Sequence, residues 1–410
     1  MPQKDSFITS TIILLSSIIL IGPNRVQAFV YLILMAKSFS SSMKLCPRWI
    51  WIFCLFHFSN ALSETTLDEK TTDASCSVLP NPTVRLHNGA EMPVFQLGSA
   101  QLIDESNPDP DALPGFVGMQ TELMYRQVQL ALEAGVRAFD AAMIYGSHRG
   151  LGYVLGEWWR SGSLSARKDV WITTKIFHPP AAPCLKSQHF PKLSEMTEEE
   201  VSAFTEQHFE KSLQELNVGY VDLMLLHWPG QDDASAEKPI DPTMNRKRRL
   251  AAWKVLEKMY QKGWCRAIGV SNFDVRHLEQ LRGDGATIVP MVNQIEGSVE
   301  VQYAEIREYC KKKGIALQAY SALRGLKKGT KAYQLLLKLG EKYNKDIGQL
   351  AFRYLYQHGY NPVFLTNSQH RMKSNMNIFD FELTTDEMSA IDAMNSPTGG
   401  WGLPKPQNIQ

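Results

Sequence analysis

The stretch FDAAMIYG at 139–146 puts a carboxylate, Asp140, and a phenol, Tyr145, just where one short apolar run ends. The next such run, VWITTK, ends in Lys175, and the one after it, VDLMLLHWP, carries His227 near its end. If a fold gathers these ends, they make a proton-transfer group. A phenol with a pKa near 10 is a poor acid at neutral pH. An ammonium beside it favours the phenolate and lowers that pKa, and a carboxylate paired with the ammonium holds it in place. An imidazole adds a second donor that can orient a carbonyl oxygen. Together they can protonate an oxygen as negative charge develops on it. That chemistry suits reduction of C=O, with the hydride supplied from elsewhere.

Positioning these groups requires a regular scaffold, and the chain has one from residue 92 onward. Candidate strands are VFQLG (94–98), RAFD (137–140), VWITTK (170–175), VDLMLLH (221–227), CRAIGV (265–270), IVPMVNQ (288–294), IALQAY (315–320) and PVFLT (362–366). Helical patterns lie between them. Met124, Val128, Ala131 and Ala134 recur at spacings of three and four and so mark one buried helix face. A capping box at Thr197–Glu200 opens a helix ending near Leu216, and another at Thr384–Glu387 opens a C-terminal helix. Gly135 and Gly263 follow helical patterns at the C-cap position. Strands alternating with helices in this way fit an α/β fold with a parallel sheet, either a closed (β/α)8 TIM barrel or an open doubly wound sheet. No GxGxxG follows the first strand, which counts against the open sheet, and the strand count favours the barrel. Barrel chemistry sits at the C-terminal ends of strands, where Asp140, Lys175, His227, Asn272 and Gln294 all fall.

Composition narrows the partners. With 44% hydrophobic residues among 410, the chain can bury a large core, and a net charge of +1 offers no field for nucleic acid or a membrane surface. A small molecule is the expected partner and a monomer the expected state. The basic cluster NRKRRL at 245–250 reads as a solvated helix face. Cys76, Cys184, Cys265 and Cys310 lie far apart without metal-ligand spacing. No metal site is expected; the thiols are free, or two of them pair in an oxidising lumen.

Residues 1–62 differ from the rest. FITSTIILLSSIILIG at 7–22 is an apolar run of 16 residues followed by the small-residue site Val26-Gln27-Ala28, the pattern of a secretory signal peptide. It is shorter than the roughly 20 apolar residues of a spanning helix. A second candidate leader starts at Met43, with a basic start and a WIWIFCLFHF core. Either targeting is bipartite, or translation starts at Met43 and the first 42 residues are an extension. Both readings send the chain to the secretory pathway or an organelle reached through it, with membrane contact through the leader alone. Without a genuine leader the chain stays in the cytoplasm. Residues 63–80 read as a polar linker and 81–410 as the barrel.

At these residues the chain resembles the aldo-keto reductase superfamily, over about residues 83–395. FDAAMIYG resembles the family's Asp-x-Ala-x-x-Tyr signature, ITTK the strand bearing its lysine, and LLHWP the strand bearing its histidine. GVSNF (269–273), VNQIE (292–296) and AYSAL (319–323) follow in family order. The resemblance implies that Tyr145 is the general acid, assisted by Lys175, Asp140 and His227. It implies that Ser271, Asn272 and Gln294 hold a nicotinamide carboxamide, that Tyr320 stacks on the ring, and that Ser321 and Leu323 contact the pyrophosphate. The cofactor so implied is NADPH, with NADH as the alternative, and the substrate is an aldehyde or ketone. Some relatives are catalytically idle barrels that bind nucleotide and serve as partner-binding or redox-sensing subunits. An intact tetrad argues against that role here, since an idle barrel has no need of Tyr145.

The chain also departs from the family pattern. Many members carry a lysine and a serine on the eighth strand that grip the 2′-phosphate of NADPH; here Leu365 and Thr366 take those places, while Arg371 and Asn375 remain. After the first strand, Ala100 and Gln101 stand where many aldose-type relatives place an aromatic wall. Ala100, Phe177 and Trp228 are the expected substrate-pocket residues, beneath a proline-rich loop at 177–196. This pocket predicts bulky or aromatic carbonyl substrates over small polar sugars.

One lost charge-assisted contact costs about 1.5–3 kcal/mol, or about one to two decades of affinity. Arg371 still offers a phosphate contact, so NADPH preference should be modest. Fluorescence titration should show Leu365→Lys tightening NADPH while leaving NADH unchanged; unchanged NADPH affinity would place the eighth strand in another register.

Overall fold

A computed structural model describes residues 81–100, 121–176, 196–230, 241–396 and 409. The leaders in 1–62, the linker at 63–80, Gln101, Phe177 and the proline-rich loop through residue 195 lie outside the described residues. The described chain opens with a hairpin that periodicity does not announce. β1 (Thr83–Arg85) pairs antiparallel with β2 (Glu91–Pro93) around Asn88-Gly89, where Gly89 takes φ 87°. The Asn88 side-chain amide donates to the Arg266 carbonyl at 2.9 Å, which pins the hairpin against the entry of a barrel strand.

Eight parallel strands then close on themselves. They are β3 (Gln96–Gly98), β4 (Ala138–Asp140), β5 (Trp171–Ile176), β6 (Val221–Leu226), β7 (Cys265–Ser271), β8 (Val292–Glu296), β9 (Ala316–Tyr320) and β10 (Tyr360–Phe364). β10 pairs with both β9 and β3, so the closed (β/α)8 barrel is the solution and the open sheet is not. The β10–β3 seam has a short ladder, and aromatic packing reinforces it. Phe95 meets Phe352 and Phe364 edge to face at centroid distances of 5.8 and 6.1 Å, an arrangement that adds to simple area burial.

Strand ends shift from the sequence expectation by a residue or two in most strands, and β8 and β10 shift for identifiable reasons. β8 begins at Val292 rather than residue 288, because Pro290 has no amide to give a ladder. β10 begins after Gly359, at φ 83°, and stops at Phe364. Leu365, apolar enough to extend the pattern, instead lies beyond the strand and is 51% exposed.

Helices α1 (Thr121–Glu133), α2 (His148–Arg160), α3 (Glu198–Leu216), α4 (Pro242–Gln261), α5 (Val275–Gly283), α6 (Ala304–Lys313), α7 (Lys331–Tyr343), α8 (Ile347–Gln357), α9 (Gln369–Met376) and α10 (Thr385–Asp392) surround the strands. The expected face of α1 and its exit, Met124, Val128, Ala131 and Ala134, is buried. Both capping boxes form: Glu200 N–H donates to Thr197 Oγ1 at 3.2 Å, and Glu387 N–H to Thr384 Oγ1 at 3.3 Å. Gly135 and Gly263 take φ 89° and 75°, as their C-cap positions require.

The basic cluster on α4 is a solvated face only in part: Arg246 and Lys247 are exposed, whereas Arg248 and Arg249 are buried. Arg248 Nε donates to the Met196 carbonyl at 2.8 Å, and the buried Arg249 donates to the Pro229 carbonyl at 2.6 Å and to Gln280 Oε1 at 2.8 Å. A guanidinium offers five donors in a fixed fork, so here it fastens loop carbonyls that no strand can satisfy. Cys265 and Cys310 are buried free thiols; Cys76 and Cys184 fall outside the described residues.

Candidate active site

Asp140 is the last residue of β4, Lys175 the penultimate residue of β5, and His227 the first residue after β6. Tyr145 ends a single 3₁₀ turn (Met143–Tyr145) that Gly146 terminates in the left-handed region at φ 64°. The strands bring all four together. Lys175 Nζ donates to Asp140 Oδ1 at 2.5 Å and to the Ala141 carbonyl at 3.1 Å, and its side chain is wholly buried. The same ammonium lies 5.1 Å from the Tyr145 ring centroid. The Tyr145 and His227 rings meet edge to face at 5.8 Å.

The turn carrying Tyr145 is held by residues that sequence reading passed over. Ser99 Oγ donates to the Asp140 carbonyl at 3.0 Å and lies 2.8 Å from Ser147 Oγ. His148 Nε2 is 2.7 Å from Thr174 Oγ1, the neighbour of Lys175, and its Nδ1 is 3.4 Å from Glu215 on α3. These contacts tie the Tyr145 turn to β3 and β5. No motif marks them, since a serine or histidine at a strand or helix end has no periodic signature.

Enclosure sets the protonation states. Burial raises the Tyr145 phenol well above its ordinary value, and the Asp140 charge pushes the same way. This corrects the expectation that Lys175 lowers it: a pairwise argument omits the cost of placing a phenolate in a closed site. Burial also pulls the Lys175 ammonium below its ordinary value, against the charge and hydrogen bond of Asp140. His227 is driven well below the ordinary imidazole value, first by burial and then by the Lys175 charge. The resting group is therefore a neutral phenol, a neutral imidazole and a buried ion pair.

The rest of the C-terminal rim carries the residues expected to hold a cofactor. Ser271 ends β7 and donates from Oγ to the Gln294 carbonyl at 2.8 Å. Asn272 follows in the left-handed region at φ 63°, its Nδ2 donating to the His227 carbonyl at 2.9 Å and to Ser271 Oγ at 3.2 Å. Tyr320, the last residue of β9, donates its hydroxyl to Asn272 Oδ1 at 2.7 Å, which fixes the ring. Ser321 follows at φ 59°. Non-glycine residues in this region cost energy and concentrate where backbone meets ligand. Gln294 gives Nε2 to Asp140 Oδ2 at 2.8 Å and to Gln318 Oε1 at 3.0 Å. Leu323 and Asn375 converge on Gly348 at the start of α8, where an added Cβ would lie 3.7 and 3.6 Å from their side chains. The Thr366 carbonyl accepts from Gln127 at 3.1 Å, and Arg371 is exposed on α9. A fixed aromatic face, an amide set and an exposed guanidinium on one rim fit a nicotinamide dinucleotide.

Of the expected pocket residues, Ala100 is half-buried just past β3, and Trp228 is buried beside His227 at a ring distance of 6.5 Å. Phe177 is outside the described residues. Two surface hollows of about 340 and 400 Å³ share Ile288, Val289 and Lys313 near the entry to β8, away from the tetrad. The convergence of charged and polar groups, rather than the size of a hollow, locates the site.

Comparison with known proteins points the same way. The model of the aldo/keto reductase family matches residues 98–396. The chain is 35% identical to the glyoxal reductase of Bacillus subtilis, over 76% of its own length and 92% of that protein. It is 34% identical to the 9,11-endoperoxide prostaglandin H2 reductase of Trypanosoma cruzi, over 76% of its length and 91% of that protein. Among solved structures, a Bombyx mori aldo-keto reductase in complex with NADP superposes with a TM-score of 0.59 at 26% identity, covering 78% of this chain and 94% of that one.

The lowered pKa of His227 has a direct readout. A depressed imidazole loses its proton at lower pH, so the ring should stay neutral from about pH 6 upward, where an ordinary histidine titrates. Histidine-labelled NMR should show no His227 titration there, with His227→Gln used for assignment; a midpoint near 6.5 would contradict an enclosed site.

Proposed function

Because the chain belongs to the aldo/keto reductase family, we propose that it reduces aldehydes and ketones to alcohols with NADPH, using Tyr145 as general acid. The observation that carries this reading is the convergence of Tyr145 and His227 on the buried Lys175–Asp140 pair. The names of the relatives support it, since one is a glyoxal reductase and another a methylglyoxal reductase of Yersinia pestis. A structural neighbour that holds NADP supports the cofactor.

Ser271, Asn272 and Gln294 would hold the nicotinamide carboxamide, Tyr320 the face of the ring, and Ser321 and Leu323 the pyrophosphate. Thr366, Arg371 and Asn375 would hold the adenosine end, without the help of a lysine at Leu365. The bound dinucleotide supplies the hydride. The protein supplies the proton and its timing. Tyr145 donates from its hydroxyl to the substrate oxygen, which the neutral His227 helps to orient. Burial keeps the phenol protonated until charge develops on that oxygen. The Lys175 ammonium then stabilises the phenolate left behind, and Asp140 compensates the ammonium. The small Ala100 and the apolar Trp228 favour bulky or aromatic carbonyl compounds over sugars.

Steady-state assays with an aromatic aldehyde, glyoxal and glucose test this reading. Tyr145→Phe should lower kcat by about 10²–10⁴-fold, the scale of general acid catalysis, and leave NADPH affinity close to wild type. Wild-type turnover in that variant would overturn the role of Tyr145. A wild-type protein that binds NADPH and reduces none of the three would favour the idle, partner-binding barrel.

A further inference from the structure

Gln318 is a wholly buried amide on β9, and the strand register sets it beside Gln294 on β8. A primary amide has two N–H donors and one carbonyl acceptor. Gln294 directs its Nε2 to Asp140 Oδ2 at 2.8 Å and to Gln318 Oε1 at 3.0 Å, so both donors are used. The carboxylate cannot donate, which fixes which end of the Gln294 amide faces it. Gln318 must then present its oxygen, and it does so at a cost. Its own Nε2 is buried without a hydrogen-bond partner among the described residues. An orphaned amide donor in a barrel interior calls for a reason. Here the reason is that turning Gln318 over would set N–H against N–H and release Gln294.

We infer that Gln318 is a positioning residue for the cofactor, acting through Gln294. By accepting the second N–H, it holds the Gln294 amide so that Oε1, which has no protein partner among the described residues, is left to accept from a nicotinamide carboxamide. The same constraint keeps Nε2 on Asp140, so one amide plane links cofactor seating to the Asp140–Lys175 pair. Without the Gln318 oxygen, Gln294 keeps a single contact and rotates about it. The inference rests on the NADPH reading and adds to it a residue that does not touch the cofactor.

The test is a double-mutant cycle on NADPH affinity, followed by protein fluorescence, with single-turnover rates measured alongside. Gln318→Met keeps the length and removes the acceptor; it should weaken NADPH about tenfold, the worth of one hydrogen bond. In a Gln294→Met background the same change should have no further effect. Gln318→Glu should bind NADPH within about threefold of wild type, because a carboxyl buried near Asp140 takes up a proton and still offers its carbonyl oxygen. Wild-type affinity in Gln318→Met, an equal loss in both backgrounds, or a tenfold loss in Gln318→Glu would each overturn the positioning role. If Gln318→Met does not fold, Gln318→Glu decides alone. Failure of the wild type to bind NADPH would instead overturn the cofactor reading, and this inference with it.

Discussion

The buried ion pair between Lys175 and Asp140 is the constraint on which the site depends. Taking two charges out of water is expensive, and the mutual attraction offsets that cost only when geometry is good and the remaining donors and acceptors are satisfied. The geometry is good, both carboxylate oxygens are used, and the ammonium uses two of its three donors. Asp140 receives Lys175 on one oxygen and Gln294 on the other, and Lys175 reaches the Ala141 carbonyl as well. The parallel register sets Asp140 opposite Thr173, with Lys175 two residues further along β5, so barrel closure is what brings the partners together. A strand slipped by one residue would turn the lysine to the other face of the sheet.

Around that pair, desolvation is the largest influence on the phenol, the ammonium and the imidazole. Burial raises Tyr145 and lowers Lys175 and His227, in each case favouring the uncharged form. Asp140 opposes the change at Lys175 and reinforces it at Tyr145. The site therefore rests with a protonated phenol beside an ammonium it has not yet used. In the proposed mechanism, charge on the phenol would be stabilised only while the proton is being given up, and stabilisation confined to that moment accelerates a reaction. The left-handed Asn272 and Ser321 add a second form of preorganisation, and hydrogen bonds with His227, Ser271 and Tyr320 hold the Asn272 side chain in place.

Much of this was legible in the sequence, for identifiable reasons. Residues that end apolar runs must lie at strand ends, so Asp140, Lys175 and His227 could be placed from hydrophobic pattern alone. Capping boxes are local hydrogen-bond chemistry, and Thr197–Glu200 and Thr384–Glu387 formed as written. What escaped was non-local. The burial of Arg248 and Arg249 depends on the loop carbonyls of Met196 and Pro229, which no helical periodicity encodes. Ser99, Ser147, His148 and Gln318 act through partners dozens of residues away. The direction of the Tyr145 shift was missed because charge proximity can be read from types and spacing, whereas desolvation needs the enclosure itself.

In the proposed mechanism, Asp140 keeps Lys175 charged so that Tyr145 can give up its proton. The most direct measurement is the pH dependence of kcat for carbonyl reduction in the wild type and in Asp140→Asn. Asp140 raises the pKa of Lys175, so its removal lowers that pKa further and the ammonium is lost at lower pH. The alkaline fall in kcat should move to lower pH in the variant, with activity retained on its acid side. An alkaline limb that stays in place, in a variant that folds and binds NADPH, would contradict that role of Asp140.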